Sequence, residues 1–126
     1  MSRPLAATGK HCQVLHHIDR ISSESLNDWG AQADCLEGQS HSRGVLLHKG
    51  PDNKPEVGFW ECTPGRWSLE IPRDEFCHFI QGEASYLSDC GERIEVSAGT
   101  CVHFKAGWRG ECTVKKTIRN VYMLTA

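Results

Sequence analysis

From Arg43 onward the chain breaks into short apolar and aromatic runs, and turn chemistry closes each of them. The runs are Arg43 to Lys49, Val57 to Cys62, Trp67 to Ile71, Glu75 to Gln81, Ala84 to Leu87, Arg93 to Val96, Thr100 to Lys105, Glu111 to Val114 and Thr117 to Leu124. Between them stand Gly50-Pro51-Asp52-Asn53-Lys54-Pro55, Thr63-Pro64-Gly65-Arg66, Pro72-Arg73-Asp74, Gly82, Ser88-Asp89-Cys90-Gly91-Glu92, Gly99 and Gly107. Nine short strands at this spacing predict an all-β sandwich or barrel. Their richness in Val, Ile, Phe, Trp and Tyr agrees. No helical stretch alternates with them, which argues against a parallel α/β sheet. A closed barrel also removes the exposed edges that a small all-β chain must hide.

Residues 1–42 read differently. Val, Leu, Ile and Phe number 7 there, against 19 in the remaining 84 residues. No helical stripe is present, apart from a possible capped turn at Ser22-Ser23-Glu24-Ser25. The segment is expected to be an irregular arm, lying on the core or on a partner subunit, ahead of a single domain over 43–126. The whole chain has 126 residues, which is one small domain's worth.

Its formal net charge of -2 argues against nucleic-acid binding. No apolar run is long enough to span a membrane. The N-terminus lacks the apolar stretch of a secretory signal, so a cytoplasmic location is expected. The seven cysteines include no C-x-x-C pair, so a four-cysteine zinc site is not expected. They read as free thiols packing as small apolar groups.

Side chains alternate faces along a strand. Ser68 and Glu70 therefore share one face of their strand, and Glu75, Cys77 and Phe79 share one face of the next. If both faces point into the barrel, Glu70 and Glu75 converge. Two converging carboxylates can hold a divalent cation, bind a cationic group, or divide the roles of acid and base. Trp60, Trp67, Phe79, Trp108 and Tyr122 offer aromatic surface, and Arg66, Arg109 and Arg119 offer anion-binding forks. Among these, Trp60, Phe79, Trp108 and Arg66 are the expected ligand-binding residues.

These runs and turns resemble the cupins, whose fold is a small jelly-roll barrel. Their first motif is a glycine, His-x-His, three or four residues, Glu, six residues and a glycine. Glu75 and Gly82 match its second half, and Ser68 and Glu70 stand at the histidines. In the second motif Gly99 and Gly107 match, Lys105 replaces the proline, and Gly110 stands at the histidine. Gly58-x-Trp60-x-x-Thr63-x-Gly65, Asp74-Glu75-Phe76 and Ala106-Gly107-Trp108 are similar to one branch of small bacterial cupins. That branch is grouped with the cupin domain of (S)-ureidoglycine aminohydrolase.

The resemblance implies a homodimer and a small polar ligand in the barrel, with a divalent metal (Mn, Fe, Ni or Zn) in typical members. Glu70 and Glu75 are then the expected catalytic or metal-binding residues, with His103 a weaker ligand. With two of the four ligand positions lost, two readings follow. One is a metal-dependent hydrolase or isomerase acting on a nitrogen-containing compound. The other is a non-catalytic or accessory cupin that binds a small molecule without a metal.

Overall fold

The structure is a computed structural model that describes residues 12–51 and 55–125. One short 3-10 turn, Ser23–Ser25, precedes nine strands. They are β1 (Asn27–Ala31), β2 (Cys35–Glu37), β3 (His41–Lys49), β4 (Glu56–Cys62), β5 (Gly65–Ile71), β6 (Glu75–Ser88), β7 (Arg93–Ser97), β8 (Cys101–Phe104) and β9 (Trp108–Leu124). Every strand pairing is antiparallel.

Two long strands organise the sheet. β9, with 17 residues, pairs along one edge with β4 and then β5, and along the other edge with β6. β6, with 14 residues, pairs with β8 and β7 on its far side. β3 continues the sheet beyond β4, and β1 beyond β3. The sheet curls into the expected jelly roll. Its inner face buries Cys62, Trp67, Ile71, Phe79, Tyr86, Phe104, Cys112, Val114 and Ile118.

The strands divide differently from the expectation. Gly82 does not end a strand; it sits inside β6 at φ +92, among shifts of register against β9. Such a conformation favours glycine and bends a strand without breaking it. A side chain at Gly82 would also run into the Thr117 carbonyl of β9. The runs from Glu111 and from Thr117 likewise join into one strand.

The N-terminal segment is less irregular than expected. Residues 27–31 and 35–37 join the sheet as β1 and β2, and the boundary at 42/43 falls inside β3. These strands are short, largely exposed and bulged, so they lack the alternation that marks a strand in sequence. Residues 18–26 lie back on this chain's own β4 and β9. Ser23 Oγ donates to Glu61 Oε1 at 2.8 Å. Arg119 Nη1 donates to the Ile18 carbonyl at 3.2 Å. Glu61 and Arg119 are 2% and 5% exposed and form a buried pair at 2.8 Å. Residues 1–11 of the expected arm, and residues 52–54 of the expected loop, lie outside the described residues.

Cys62, Cys77 and Cys112 are buried free thiols. Burial pushes Cys62 up to about 11 and Cys112 up to about 12, so both stay protonated at neutral pH. Cys12, Cys35, Cys90 and Cys101, expected to pack as small apolar groups, are exposed instead. The described helical content is the single 3-10 turn, and no helix is long and apolar enough to cross a membrane.

Candidate functional site

The inner faces of β4, β5, β6, β8 and β9 enclose a cavity of about 460 Å³. Trp60, Trp67, Leu69, Ile71, Phe104 and Tyr122 form most of its wall. Trp29 and Ala31 of β1, with Gln32 and Ala33 after it, complete its lining. A chain of hydrogen bonds ties this segment to β3 and β4: Trp60 Nε1 donates to Ser42 Oγ at 3.0 Å, and Ser42 Oγ donates to Gln32 Oε1 at 3.0 Å.

One end of the cavity is polar. Glu56 of β4 and Glu75 of β6 both stand opposite Leu124 of β9, one on each side. Tyr122 donates its hydroxyl to Glu56 Oε2 at 2.9 Å. It can do so because β4 carries Gly58 beneath it; a Cβ there would lie 2.5 Å from that hydroxyl. Cys77 donates its thiol to Glu75 Oε2 at 3.2 Å. Arg73 Nη2 lies 3.7 Å from Glu56 Oε1.

Burial raises the Glu75 carboxyl above its ordinary 4.5; the Cys77 thiol opposes this, and the nearby Glu56 charge adds to it. Burial and the bond to Glu56 raise the Tyr122 phenol, so it remains a proton donor at neutral pH. A desolvated carboxyl in a cavity is the kind of group that binds a cation or exchanges a proton.

Glu70 and Glu75 do not converge. The inward face of β5 is Trp67, Leu69 and Ile71, while Ser68 and Glu70 are exposed on the outer face. Glu70 lies instead in a separate outer depression with Asp34, Ser68, Asp89 and Arg109. The physical reason is the apolar alternation of Trp67, Leu69 and Ile71, whose burial fixes the register of the face. The acid that does share the cavity with Glu75 is Glu56, which sequence reasoning missed. It alternates with Gly58, Trp60 and Cys62, and that parity was the available signal.

The other expected residues separate. Trp60 and Glu75 line the cavity. Phe79 is wholly buried in the core and does not reach it. Trp108 packs edge-on against Phe104 and Tyr86, with ring centroids 5.3 and 6.1 Å apart. Arg66 is on the outer surface, 2.9 Å from Glu111 and 3.6 Å from Glu37. His103 is also outside, 3.5 Å from Asp74.

Ser68 and Glu70, which a four-residue spacer puts at the two motif histidines, point outward; with the three-residue spacer those positions are the inward Leu69 and Ile71. At the fourth ligand position, Gly110 stands opposite Leu69. A Cβ on Gly110 would collide with the Leu87 carbonyl of β6, so the backbone leaves no room for a histidine there. Among the described residues, no group of three or more His, Cys, Asp or Glu is placed to hold a metal ion. Of the four usual positions only Glu75 carries a donor, and this set does not fit a tightly bound divalent ion.

A curled jelly roll with a central cavity reached from β4, β5 and β6 defines a cupin. The EutQ-like cupin domain family matches residues 49–122, more than half of the chain, and the chain belongs to that family. Solved structures agree on the fold. A DUF861-family protein of unknown function from Pseudomonas syringae pv. tomato superposes with TM-score 0.71 at 19% identity, over 79% of this chain and 44% of its own. The EutQ protein of Clostridium difficile gives 0.60 at 17% identity, over 68% and 63%. The polyketide cyclase RemF from Streptomyces resistomycificus gives 0.59 at 14% identity, over 83% and 77%. At such identities the likeness carries the fold alone. The chain spans less than two thirds of the first two proteins. No curated protein matches it.

Proposed function

We propose that the barrel is a small-molecule pocket that works without a metal ion, in a ligand-binding or accessory cupin. One observation carries the reading. The cavity keeps its volume and aromatic wall, while the inward cupin ligand positions hold Leu69, Ile71 and Gly110 beside a single acid, Glu75. An apolar cavity with a few convergent polar groups is the usual form of a ligand site. The resemblance to ureidoglycine aminohydrolase-type cupins would add metal-dependent hydrolysis or isomerisation of a nitrogen compound. That activity would need imidazoles where two aliphatic side chains and a crowded glycine stand.

A second reading has its own support. Glu75 is half-buried, raised and in contact with the cavity, so it can act as a general base or acid without a metal. Fragment binding followed by NMR tests the first reading. Small aromatic probes should shift the indole N–H signals of Trp60 and Trp67, and Leu69→Phe, which fills the cavity, should weaken them. Turnover of a bound compound that Glu75→Gln abolishes, with binding intact, would establish the second.

A further inference from the structure

We propose, resting on the reading of the barrel as a ligand pocket, that the pocket selects amines. An ammonium group sits between the Glu56 and Glu75 carboxyls, and the apolar body of the ligand lies against Trp60, Leu69 and Phe104.

The register makes the acid pair a built feature. Glu56 and Glu75 flank the same residue, Leu124, from the two strands beside β9, and both line the cavity. Among the described residues, the Tyr122 hydroxyl donates to Glu56 and the Cys77 thiol donates to Glu75. Among the described residues, one guanidinium, that of Arg73, stands at this end of the barrel, 3.7 Å from Glu56. Lys49, opposite Glu56 on β3, is exposed at the rim. Two carboxyls and one guanidinium leave a formal negative charge beside an apolar cavity, and an ammonium group is the ligand feature that complements it.

A second observation points to a ligand in the same space. Trp67 is 4% exposed and lines the cavity, and among the described residues its Nε1–H has no hydrogen-bond partner. Trp60, the other cavity indole, has Ser42. A buried donor without an acceptor is costly, and a ligand carbonyl or ether oxygen would supply the acceptor. The fitting molecule is therefore an amine on a ring-sized apolar body that also carries an oxygen acceptor.

Phenylalaninamide and 3-phenylpropanamide differ only in the amino group, and both carry the carbonyl. Calorimetric titration should give a dissociation constant at least about tenfold lower for phenylalaninamide, the scale of one charge-assisted hydrogen bond. Glu75→Gln and Glu56→Gln should each bring the ratio towards one. If a glutamine variant does not fold, the wild-type ratio alone decides. Equal binding of the two probes would overturn the amine assignment and leave the ligand pocket standing. Binding of neither at millimolar concentration, with the Trp60 and Trp67 indole signals unmoved, would overturn both.

Discussion

Glu75 holds its carboxyl in a place that favours the uncharged form, and stability should register this. Its folded pKa lies above the ordinary 4.5 because burial penalises the charge. The native state then binds a proton more tightly than the unfolded chain does. The site's contribution to stability therefore falls as pH rises from 4.5 through the raised value. Glu75→Gln should melt higher than the wild type at neutral pH, and the difference should shrink as pH falls towards 4.5. Paired thermal melts across that range check it, since other titrating groups are common to both proteins. A difference that is flat with pH would mean that Glu75 titrates normally.

Gly110 makes the complementary case, because there a side chain has no space at all. Gly110→Ala should cost about 1–3 kcal/mol by overpacking against β6. Gly110→His should cost more and bring no metal affinity. Denaturant unfolding measures the first, and a divalent-ion titration the second. Sequence reasoning placed a lost ligand at Gly110, and the backbone of Leu87 explains why the loss is structural. It put Glu70 inside because the motif spacing outweighed the plainer signal of Trp67, Leu69 and Ile71. Glu56 escaped notice because it sits at the start of a run, where alternation has only just begun.

At the scale of elements, the N-terminal segment is fastened by one buried ion pair. Glu61 and Arg119 stand on β4 and β9, and between them they hold Ser23 and the Ile18 carbonyl. Arg119 also lies over the Phe59 ring, 5.8 Å from its centroid. Removing one partner leaves a buried charge alone. Arg119→Ala should thus cost about 3–5 kcal/mol, while the paired change Glu61→Leu with Arg119→Met should cost much less. Amide exchange over residues 18–26 should quicken in the single variant, and unchanged protection there would deny the pair its fastening role. None of this was legible in the sequence. The arm's contacts run between residues 38 to 101 positions apart, and no local pattern announces a pairing of that span. The strands of β3 to β9 were legible because each carries its own alternation and its own turn. The joining of β6 and β9 into long strands was not, since a glycine reads as an ending until the neighbouring strand shows a bulge.

The whole molecule is a cupin barrel of the EutQ-like family whose cavity has kept its walls and lost the imidazoles of a metal centre. What remains is an aromatic chamber, lined also by Trp29 and the segment after it, with two acids at one end. The fold and its cupin character are carried by turns and apolar runs, which is why they could be read early; the EutQ-like family was not read. The chemistry depends on which face of β5 and β4 points inward, and only three-dimensional packing decides that. The central claim is that this chamber binds its ligand without a metal. Phenylalaninamide titrated by calorimetry into untagged, chelator-stripped protein, before and after zinc or manganese is restored, tests it most directly. The dissociation constant should be the same in both titrations. Binding that appears only once the metal is restored would contradict the account.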